Sequence, residues 1–557
     1  MPKRQARIEH VVVLMLENRS FDHMLGTCPG VDGLVDGRGT IRPQFANRLD
    51  PATPGSKSYR ASVPAEFAVL QQDISHGFGG PGHSFPDASM QLYGTETPDA
   101  AETAIAAPLN GFVASYISEL RAAGRARPRD VEIREPMTSF TAAQVPAIFQ
   151  LAREFCVCDQ WYSEVPGPTE PNRLFAHAGT AIGLAHNVWD LPVTARTIYE
   201  ELDKAGRDWA FFFSDISDSA VFPQLKKRID RLLRFDTFAQ HCSAGSLPAY
   251  SFLCPRYNDA PGLFPNSEHA PFDIRYGDTL IADVYDALRA SPIWNSTLLI
   301  VTFDEHGGYY DHVSPPATGV SNPDGLTSPT AYDRQQAQKN PKANGYLLKP
   351  EYSFDFTRLG LRVPAVLVSP WIAKGVVDST RYQHTSIFAT LRDLFGIGTL
   401  TRRDAEARSF STVLSLQRPR TNAPPTLDRP KLPKPDGQHL KRPPTQRQKD
   451  MWPILSHLDG HPHSGTVTRP PATRLAAHRY IEERLAAHER FHRERRRKAA
   501  YEIRRQRNGR YLWRLRGEDG AILAQSTKTF GQADQAERDI ERVRDVAPYA
   551  RQVGGRR

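Results

Sequence analysis

The sequence has few cysteines and lacks any long hydrophobic run. It contains five cysteines in 557 residues, and this small, odd number provides no disulfide framework and leaves at least one thiol unpaired within the chain. This favours a reducing compartment. No stretch approaches the roughly 18 to 20 apolar residues of a membrane-spanning helix, so we expect a soluble protein.

The N-terminus does not read as a secretory signal. Basic residues precede an apolar stretch at residues 11–16, but this stretch is too short for a signal core and runs directly into Glu17 and Asn18. It is better explained as the first strand of a sheet. We expect the protein to reside in the cytoplasm or to be exported by a signal-independent route.

Charge is distributed unevenly along the chain. Residues 411–557 hold 32 Lys and Arg against 16 Asp and Glu, whereas residues 1–410 hold 39 against 46. The whole basic excess therefore lies in the C-terminal part. Because 557 residues exceed one compact core, we expect a large catalytic domain with accessory segments.

Composition divides the chain into four parts. Residues 1–410 alternate hydrophobic runs with helical patterns, which is typical of an α/β domain. Residues 411–470 form a proline-rich polar linker, and residues 471–507 form a basic segment predicted to be helical to residue 505. Residues 508–557 read as strand, turn, strand and helix, and loosely resemble a small ββα repeat module of bacterial proteins.

Periodicity predicts the main elements of the α/β domain. Buried strands are expected at residues 11–16, 209–213, 250–253, 298–303 and 365–368. Helices are expected at residues 145–155, 277–290 and 386–395.

The basic C-terminal part is also compatible with a binding function instead of an enzymatic one. Its positive charge is compatible with binding to an anionic membrane or to nucleic acid, with the catalytic domain as passenger. The helix has only a sparse apolar face, formed by Leu475, Ile481 and Leu485, which argues against deep membrane insertion. A solvated charged surface is the alternative interpretation.

Two distant segments each end a hydrophobic run with hard oxygen ligands. Glu17 and Asn18 follow the first run, and Asp304 and Glu305 follow the run at residues 298–303. Because parallel strands of an α/β sheet place their carboxyl ends at one edge, these side chains are expected to meet there. Such oxygens hold divalent cations that polarise phosphate. The pattern therefore predicts a metal-assisted hydrolase.

A Gly/Pro-rich loop between these segments exposes a threonine. Thr169 precedes a helix predicted to begin near Pro171, and a hydroxyl at a helix N-terminus suits a nucleophile that attacks an anionic phosphate. Asn172 is close enough in sequence to direct an amide donor at the same phosphate. The alternative is that Thr169 only caps the helix.

Six ordered segments resemble one known family. They read ENRSFDH, GHS, PGPTEPNR, EHAP, DEHGGYYDHV and RVPAVLVSPW, at residues 17–23, 82–84, 166–173, 268–271, 304–313 and 362–371. Together they resemble the bacterial phospholipase C and acid phosphatase phosphoesterase family of the alkaline phosphatase-like superfamily. The resemblance implies an alkaline phosphatase/sulfatase-like α/β fold, with a mostly parallel central sheet flanked by helices.

The resemblance also implies roles for individual residues. Thr169 would be the nucleophile that forms a covalent phospho-enzyme. A divalent cation of unknown identity would be held by ligands from three segments: Glu17, Asn18, Thr169, Asp304 and Glu305. Phosphoryl oxygens would be contacted by His83, His269 and Asn172. His306 is either a general acid or a residue that orients Glu305. The EHAP segment carries one residue more than the usual EHP, and this insertion affects the direction in which the His269 side chain points.

The expected reaction is hydrolysis of a phosphoric ester. A phospholipase C that cleaves the phosphodiester of a phospholipid such as phosphatidylcholine is favoured, because the threonine and the DEHGG segment look more like the phospholipase branch. An acid phosphatase that acts on phosphomonoesters is the alternative.

Overall fold

The structure is a computed structural model. It describes residues 8–64, 80–188, 192–226, 228–331, 333–334, 353–433, 437–444, 449, 471–497, 499–517 and 522–546. In these residues no helix is both long and apolar enough to cross a bilayer.

The described residues contain fifteen strands and fourteen α-helices. The strands are β1 His10–Leu16, β2 Ala46–Arg48, β3 Ser58–Arg60, β4 Cys156–Cys158, β5 Trp161–Tyr162, β6 Trp209–Phe213, β7 Leu232–Arg234, β8 Tyr250–Cys254, β9 Thr297–Phe303, β10 Ala365–Val368, β11 Val376–Asp378, β12 Tyr382–Gln383, β13 Ala499–Arg505, β14 Tyr511–Gly517 and β15 Ile522–Gln525. The helices are α1 Phe21–Leu25, α2 Phe85–Tyr93, α3 Ala100–Thr103, α4 Phe112–Ala122, α5 Asp130–Ile133, α6 Pro146–Glu154, α7 Thr169–Ala178, α8 Ile198–Lys204, α9 Phe238–Ser243, α10 Ile274–Arg289, α11 Ser386–Phe395, α12 Arg402–Glu406, α13 Arg474–Arg497 and α14 Ala533–Val546.

Eight strands form the central sheet, in the order β11-β4-β10-β9-β1-β8-β6-β7. Only β10 runs antiparallel to its neighbours β9 and β4. β1 and β9 lie side by side at the centre and are almost wholly buried, which explains their continuous apolar sequences. The α/β class, the mostly parallel sheet and the five predicted strands are confirmed.

The three predicted helices are confirmed as α6, α10 and α11. α10 turns an apolar face to the core, including Ile281 and Leu288, which are fully buried. α6 packs beside α10, where the carboxylate of Asp278 accepts hydrogen bonds from the first backbone N–H groups of α6, at Ala147 and Ile148. These contacts fix one helical layer against the sheet.

The polypeptide continues to pack on the α/β domain after residue 410. Val413, Ala423 and Leu427 belong to its hydrophobic core. The backbone N–H of Leu427 donates to Asp286 on α10 at 3.0 Å. The first part of the predicted linker is therefore a packed extension of the α/β domain, while most of residues 445–470 lie outside the described residues.

The basic helix α13 also docks on this domain. Ala477 and Ile481 are buried, and Arg474 donates to the buried carboxylate of Asp259 at 3.2 Å. Nε2 of His488 lies 2.8 Å from the carbonyl oxygen of Lys226, to which it donates. In the part of α13 whose side chains are described, the apolar residues Ala477 and Ile481 therefore face protein.

The small C-terminal module differs from its predicted boundaries. Residues 499–505, expected to continue the basic helix, form β13, which pairs antiparallel with all of β14. Tyr501 and Ile503 alternate toward α14 and pack against Trp513, and this packing outweighs the helical appearance of the basic sequence. The two predicted strands β14 and β15 and the helix α14 are present.

Candidate active site

The two acidic segments meet at the carboxyl edge of the central strands. Leu16 and Phe303 are paired in the β1–β9 register, so the chain leaves both strands at the same level. The backbone N–H of Asn18 then donates to Oδ1 of Asp304 at 3.0 Å, and the N–H of Arg19 donates to the carbonyl of Glu305 at 3.0 Å. The predicted meeting of the two segments is thus present in the structure.

A close backbone approach explains the glycine after this strand. Asn18 has a left-handed φ of 60°, and Gly307 has a φ of 66°. A Cβ atom on Gly307 would lie 2.0 Å from the carbonyl oxygen of Asn18. Only glycine therefore fits where the two loops cross.

Asn18 links the predicted nucleophile to a histidine. Thr169, the first residue of α7, donates from Oγ1 to Oδ1 of Asn18 at 3.4 Å. Nδ2 of Asn18 lies 2.9 Å from Nε2 of His83, whose Nδ1 lies 3.1 Å from the carbonyl oxygen of Pro81. This chain of contacts fixes the Asn18 amide and the His83 ring relative to the Thr169 hydroxyl.

Asn172 has a different set of partners from the predicted one. Its Oδ1 accepts from the backbone N–H groups of Glu164 and Val165, both at 2.9 Å. Its Nδ2 donates to three carbonyl groups of the same loop, including that of Pro168 at 3.0 Å. The amide is fully buried and engaged in shaping the loop before Thr169. This geometry gives no support to its predicted phosphoryl contact.

His306 is held between two side chains. Its Nε2 lies 2.7 Å from Oε1 of Gln91, and its Nδ1 lies 3.3 Å from Oε2 of Glu305. The same Oε2 accepts from the N–H of Gly307 at 2.7 Å. This bracing of a fully buried ring favours the second of the two predicted roles, the orientation of Glu305.

The EHAP segment brings His269 beside His83. The segment is pinned to the end of β1, because Glu17 N–H donates to the carbonyl of Ser267 at 2.7 Å and Arg19 Nε donates to that of Glu268 at 2.8 Å. The ring centroids of His83 and His269 are 5.8 Å apart. The extra residue in this segment therefore leaves both histidines on one side of the site.

The carboxylates have the chemistry of a cation site. Glu17, Asp304 and Glu305 are completely buried. Burial raises the pKa of Asp304 to about 7, with Arg173 opposing and the negative charges of Glu305 and Glu17 adding to the rise. Oε1 of Glu305 accepts no hydrogen bond from the described residues. Buried acidic oxygens in this number fit a hard divalent cation, which would relieve their mutual repulsion.

A second acidic cluster lies nearby and is of another kind. Asp22, Asp311 and His312 bring ligand atoms within 4.8 Å of one another, the one such set of three in the described part of the chain. Here, however, the buried guanidinium of Arg362 donates to Asp311 at 2.9 Å and to Asp22 at 3.2 Å. The cluster already contains its cation, so we interpret it as a structural ion-pair network.

The pH dependence of this network can be predicted. Although burial opposes it, hydrogen bonds to Asp22 and Asp32 raise the pKa of His312 to about 10. Because the pKa is higher in the folded state, protonated His312 stabilises the fold. This stabilisation is complete below the ordinary pKa of about 6.5 and is lost as the pH rises through 10. We expect His312→Gln to lower the unfolding free energy by a few kcal/mol at pH 6 and by little above pH 10. Urea unfolding at pH 6, 8 and 10 measures this, and a pH-independent difference would contradict it.

Three residues that support the site were not predicted. Arg173 belongs to a predicted segment but had no role, and its Nε donates to Oδ2 of Asp304 at 3.0 Å. Asp218 contacts Arg173 and lies outside all six segments. His384 lies 2.7 Å from the carbonyl oxygen of Asp304, and burial lowers its pKa to about 4, so the ring is neutral. No sequence pattern marks Asp218 or His384.

Comparisons with known proteins cover most of the chain. A sequence model described as the Phosphoesterase family matches residues 8–398, and one described as a domain of unknown function, DUF1508, matches residues 507–553. Non-specific phospholipase C3 of Arabidopsis thaliana is 34% identical over 443 residues, which are 77% of this chain and 77% of that protein. Non-specific phospholipase C6 of the same plant is 36% identical over 440 residues, 76% of this chain and 75% of that protein.

The comparison with solved structures gives a low TM-score. A protein of the alkaline phosphatase superfamily from Vibrio parahaemolyticus is 12% identical and has a TM-score of 0.28, covering 48% of this chain and 64% of that one.

Proposed function

The chain belongs to the phosphoesterase family and is a phosphoric ester hydrolase; we propose that it is a metal-dependent phospholipase C acting through a phospho-threonine. The observation that carries this proposal is a set of three contacts made by Asn18. Its side chain contacts the Thr169 hydroxyl and the His83 ring, and its backbone N–H donates to the carboxylate of Asp304. These contacts connect the Thr169 hydroxyl to a buried acidic site. This combination suits attack on an anionic phosphate.

In the first step Oγ1 of Thr169 bonds to phosphorus, and the bond from phosphorus to the glycerol oxygen breaks. The Thr169 hydroxyl loses its proton, the departing diacylglycerol oxygen gains one, and the phosphorylated head group remains esterified to Thr169. Asn18 would orient the hydroxyl by accepting its hydrogen bond at Oδ1. His83 and His269, whose rings are 5.8 Å apart, would contact the phosphoryl oxygens. Water then cleaves the Thr169 ester and releases the phosphorylated head group.

Five residues would hold a divalent cation: Glu17, Asn18, Thr169, Asp304 and Glu305. When bound, it supplies positive charge that offsets the charge of the phosphoryl group and favours deprotonation of the hydroxyl. Glu305 would bind through Oε1, since Oε2 already accepts from the N–H of Gly307. Asp304 is oriented for this role by its hydrogen bonds to Asn18 and Arg173.

The charge balance favours a diester substrate. A phosphomonoester carries close to two negative charges at neutral pH, whereas a phosphodiester carries one. The two arginines beside the site are both engaged: Arg19 with the Glu268 carbonyl and His23, and Arg173 with Asp304 and Asp218. The charge of Arg173 is already shared by two carboxylates, and the known contacts of Arg19 direct it to Glu268 and His23 rather than to a phosphate.

Two chromogenic substrates test the preference. We expect kcat/KM of the full chain to be at least about 10-fold higher for p-nitrophenyl phosphorylcholine than for p-nitrophenyl phosphate, equivalent to about 1.4 kcal/mol of unmatched charge. Release of diacylglycerol and phosphocholine from phosphatidylcholine vesicles confirms the position of cleavage. Faster hydrolysis of the monoester would favour the alternative, an acid phosphatase.

The partner of the basic C-terminal part remains a prediction. Binding to anionic vesicles or to DNA would have to use charged surface, because Ala477 and Ile481 of α13 are buried against the catalytic domain.

A further inference from the structure

The guanidinium of Arg173 is held at both ends. It is almost completely buried and donates from Nε to Asp304 Oδ2 at 3.0 Å and from Nη1 to Asp218 Oδ2 at 2.8 Å. Nη2 donates to the last carbonyl groups of β1, at Met15 and Leu16. The planar group therefore forms a rigid link between the end of the central strand, Asp304 and Asp218.

Asp218 is itself fixed by the residues around it. Oδ1 accepts from the hydroxyl of Tyr257 at 3.1 Å, and Oδ2 lies 3.3 Å from Nε2 of His177. Nδ1 of that histidine lies 2.9 Å from the hydroxyl of Tyr199. The carboxylate thus occupies a defined position against Nη1 of Arg173, while Asp304 binds Nε of the same guanidinium.

We propose that Asp218 is a positioning residue for the hydrolysis, which holds Arg173 against Asp304 and thereby sets the orientation of the Asp304 carboxylate. This inference rests on the proposed function of the site. Without the negative charge at residue 218, the long Arg173 side chain loses one of its two ionic anchors. Asp304 then loses the donor that fixes Oδ2, while Oδ1 keeps the N–H groups of Asn18 and Glu305.

The test compares two aspartates of the same loop. We expect Asp218→Asn to lower kcat by about 10- to 100-fold, the usual effect of removing a group that orients a ligand, with KM changed by less than about threefold. Asp215→Asn is the matched control, because its carboxylate accepts from the backbone N–H groups of Tyr257 and Asn258 and does not contact Arg173. We expect this control to lose stability and to keep kcat.

A coupling experiment separates positioning from a general structural effect. If Asp218 acts through the guanidinium, Asp218→Asn should lower kcat no further in an Arg173→Lys background, since the link is already broken. A crystal structure of Asp218→Asn should show the distance from Arg173 Nε to Asp304 Oδ2 lengthened from 3.0 Å. Multiplicative losses in the double variant, or full kcat in Asp218→Asn, would overturn the proposal.

A second variant and a fixed choice of substrate keep the test decisive. If Asp218→Asn does not fold, Asp218→Glu retains the charge and displaces the carboxylate, and the same loss of kcat is expected, whereas full kcat refutes positioning. Rates are measured with whichever p-nitrophenyl ester the wild-type chain hydrolyses faster. A preference for the monoester then contradicts the phospholipase C proposal and leaves the role of Asp218 to be decided by its own variants.

Discussion

Thr169→Ala is expected to abolish hydrolysis of both p-nitrophenyl esters, with a loss of at least about 10⁴-fold in kcat, as when a covalent nucleophile is removed. The reason is that Thr169 supplies the oxygen that bonds to phosphorus. Thr169 is buried at the start of α7, and its Oγ1 donates to Oδ1 of Asn18. Alanine keeps the fold and removes the reacting atom.

Two further variants make this result specific. Thr169→Ser retains a hydroxyl at the same place and should retain hydrolysis. Thr180→Ala is a matched control: Thr180 is also buried, lies just beyond the end of α7, and its Oγ1 accepts from the N–H of Ile182. Activity should be unchanged in this control. Rapid quenching of wild type and recovery of a phosphorylated peptide containing Thr169 would identify the intermediate, whereas full activity of Thr169→Ala would refute the mechanism.

The long strands of the catalytic domain could be predicted because burial on both faces leaves a clear pattern. β1 and β9 are each seven residues long and contain an unbroken apolar run. β4, β7 and β11, each of three residues, were not predicted. Three residues are too few to establish a period, and their pairing depends on neighbouring strands far away in sequence.

The C-terminal part shows where composition misleads. Residues 499–505 follow an arginine-rich stretch at residues 493–497 and were expected to continue its helix, yet they form β13. The alternation of Tyr501 and Ile503 was the competing signal, and contact with Trp513 decides between the two. Similarly, α13 was judged by its exposed charges, whereas the few apolar residues on its other side determine that it docks.

The residues of the candidate site likewise fall into those that sequence patterns predict and those that they do not. Glu17, Asn18, Asp304 and Glu305 could be assigned because they follow strand patterns, and the helix start at Thr169 follows a loop pattern. The partners of Asn172 could not be read from sequence, because an amide next to a glycine-rich loop binds either the loop or a ligand. Asp218 carries no pattern at all, since its function depends on the position of Arg173 in space.

Glu305→Gln should identify which acidic cluster binds the cation. The variant replaces the carboxylate whose Oε1 accepts no hydrogen bond from the described residues, and we expect kcat to fall by about 10³-fold, the size of loss seen when one group that stabilises transition-state charge is removed. Calorimetric titration with Ca²⁺, Mn²⁺ or Zn²⁺ should show binding to wild type that is lost in this variant.

His312→Gln provides the contrast, because it alters the Asp22 and Asp311 cluster, in which both carboxylates already accept hydrogen bonds from Arg362. Cation binding and kcat should be retained in this variant at neutral pH, once circular dichroism has shown that it is folded. Loss of cation binding in His312→Gln and its retention in Glu305→Gln would reverse the assignment. The comparison thus separates two buried clusters whose residues Asp304, Glu305, Asp311 and His312 all follow β9. Arg362 donates to both aspartates of the second cluster, whereas Oε1 of Glu305 in the first accepts no hydrogen bond from the described residues.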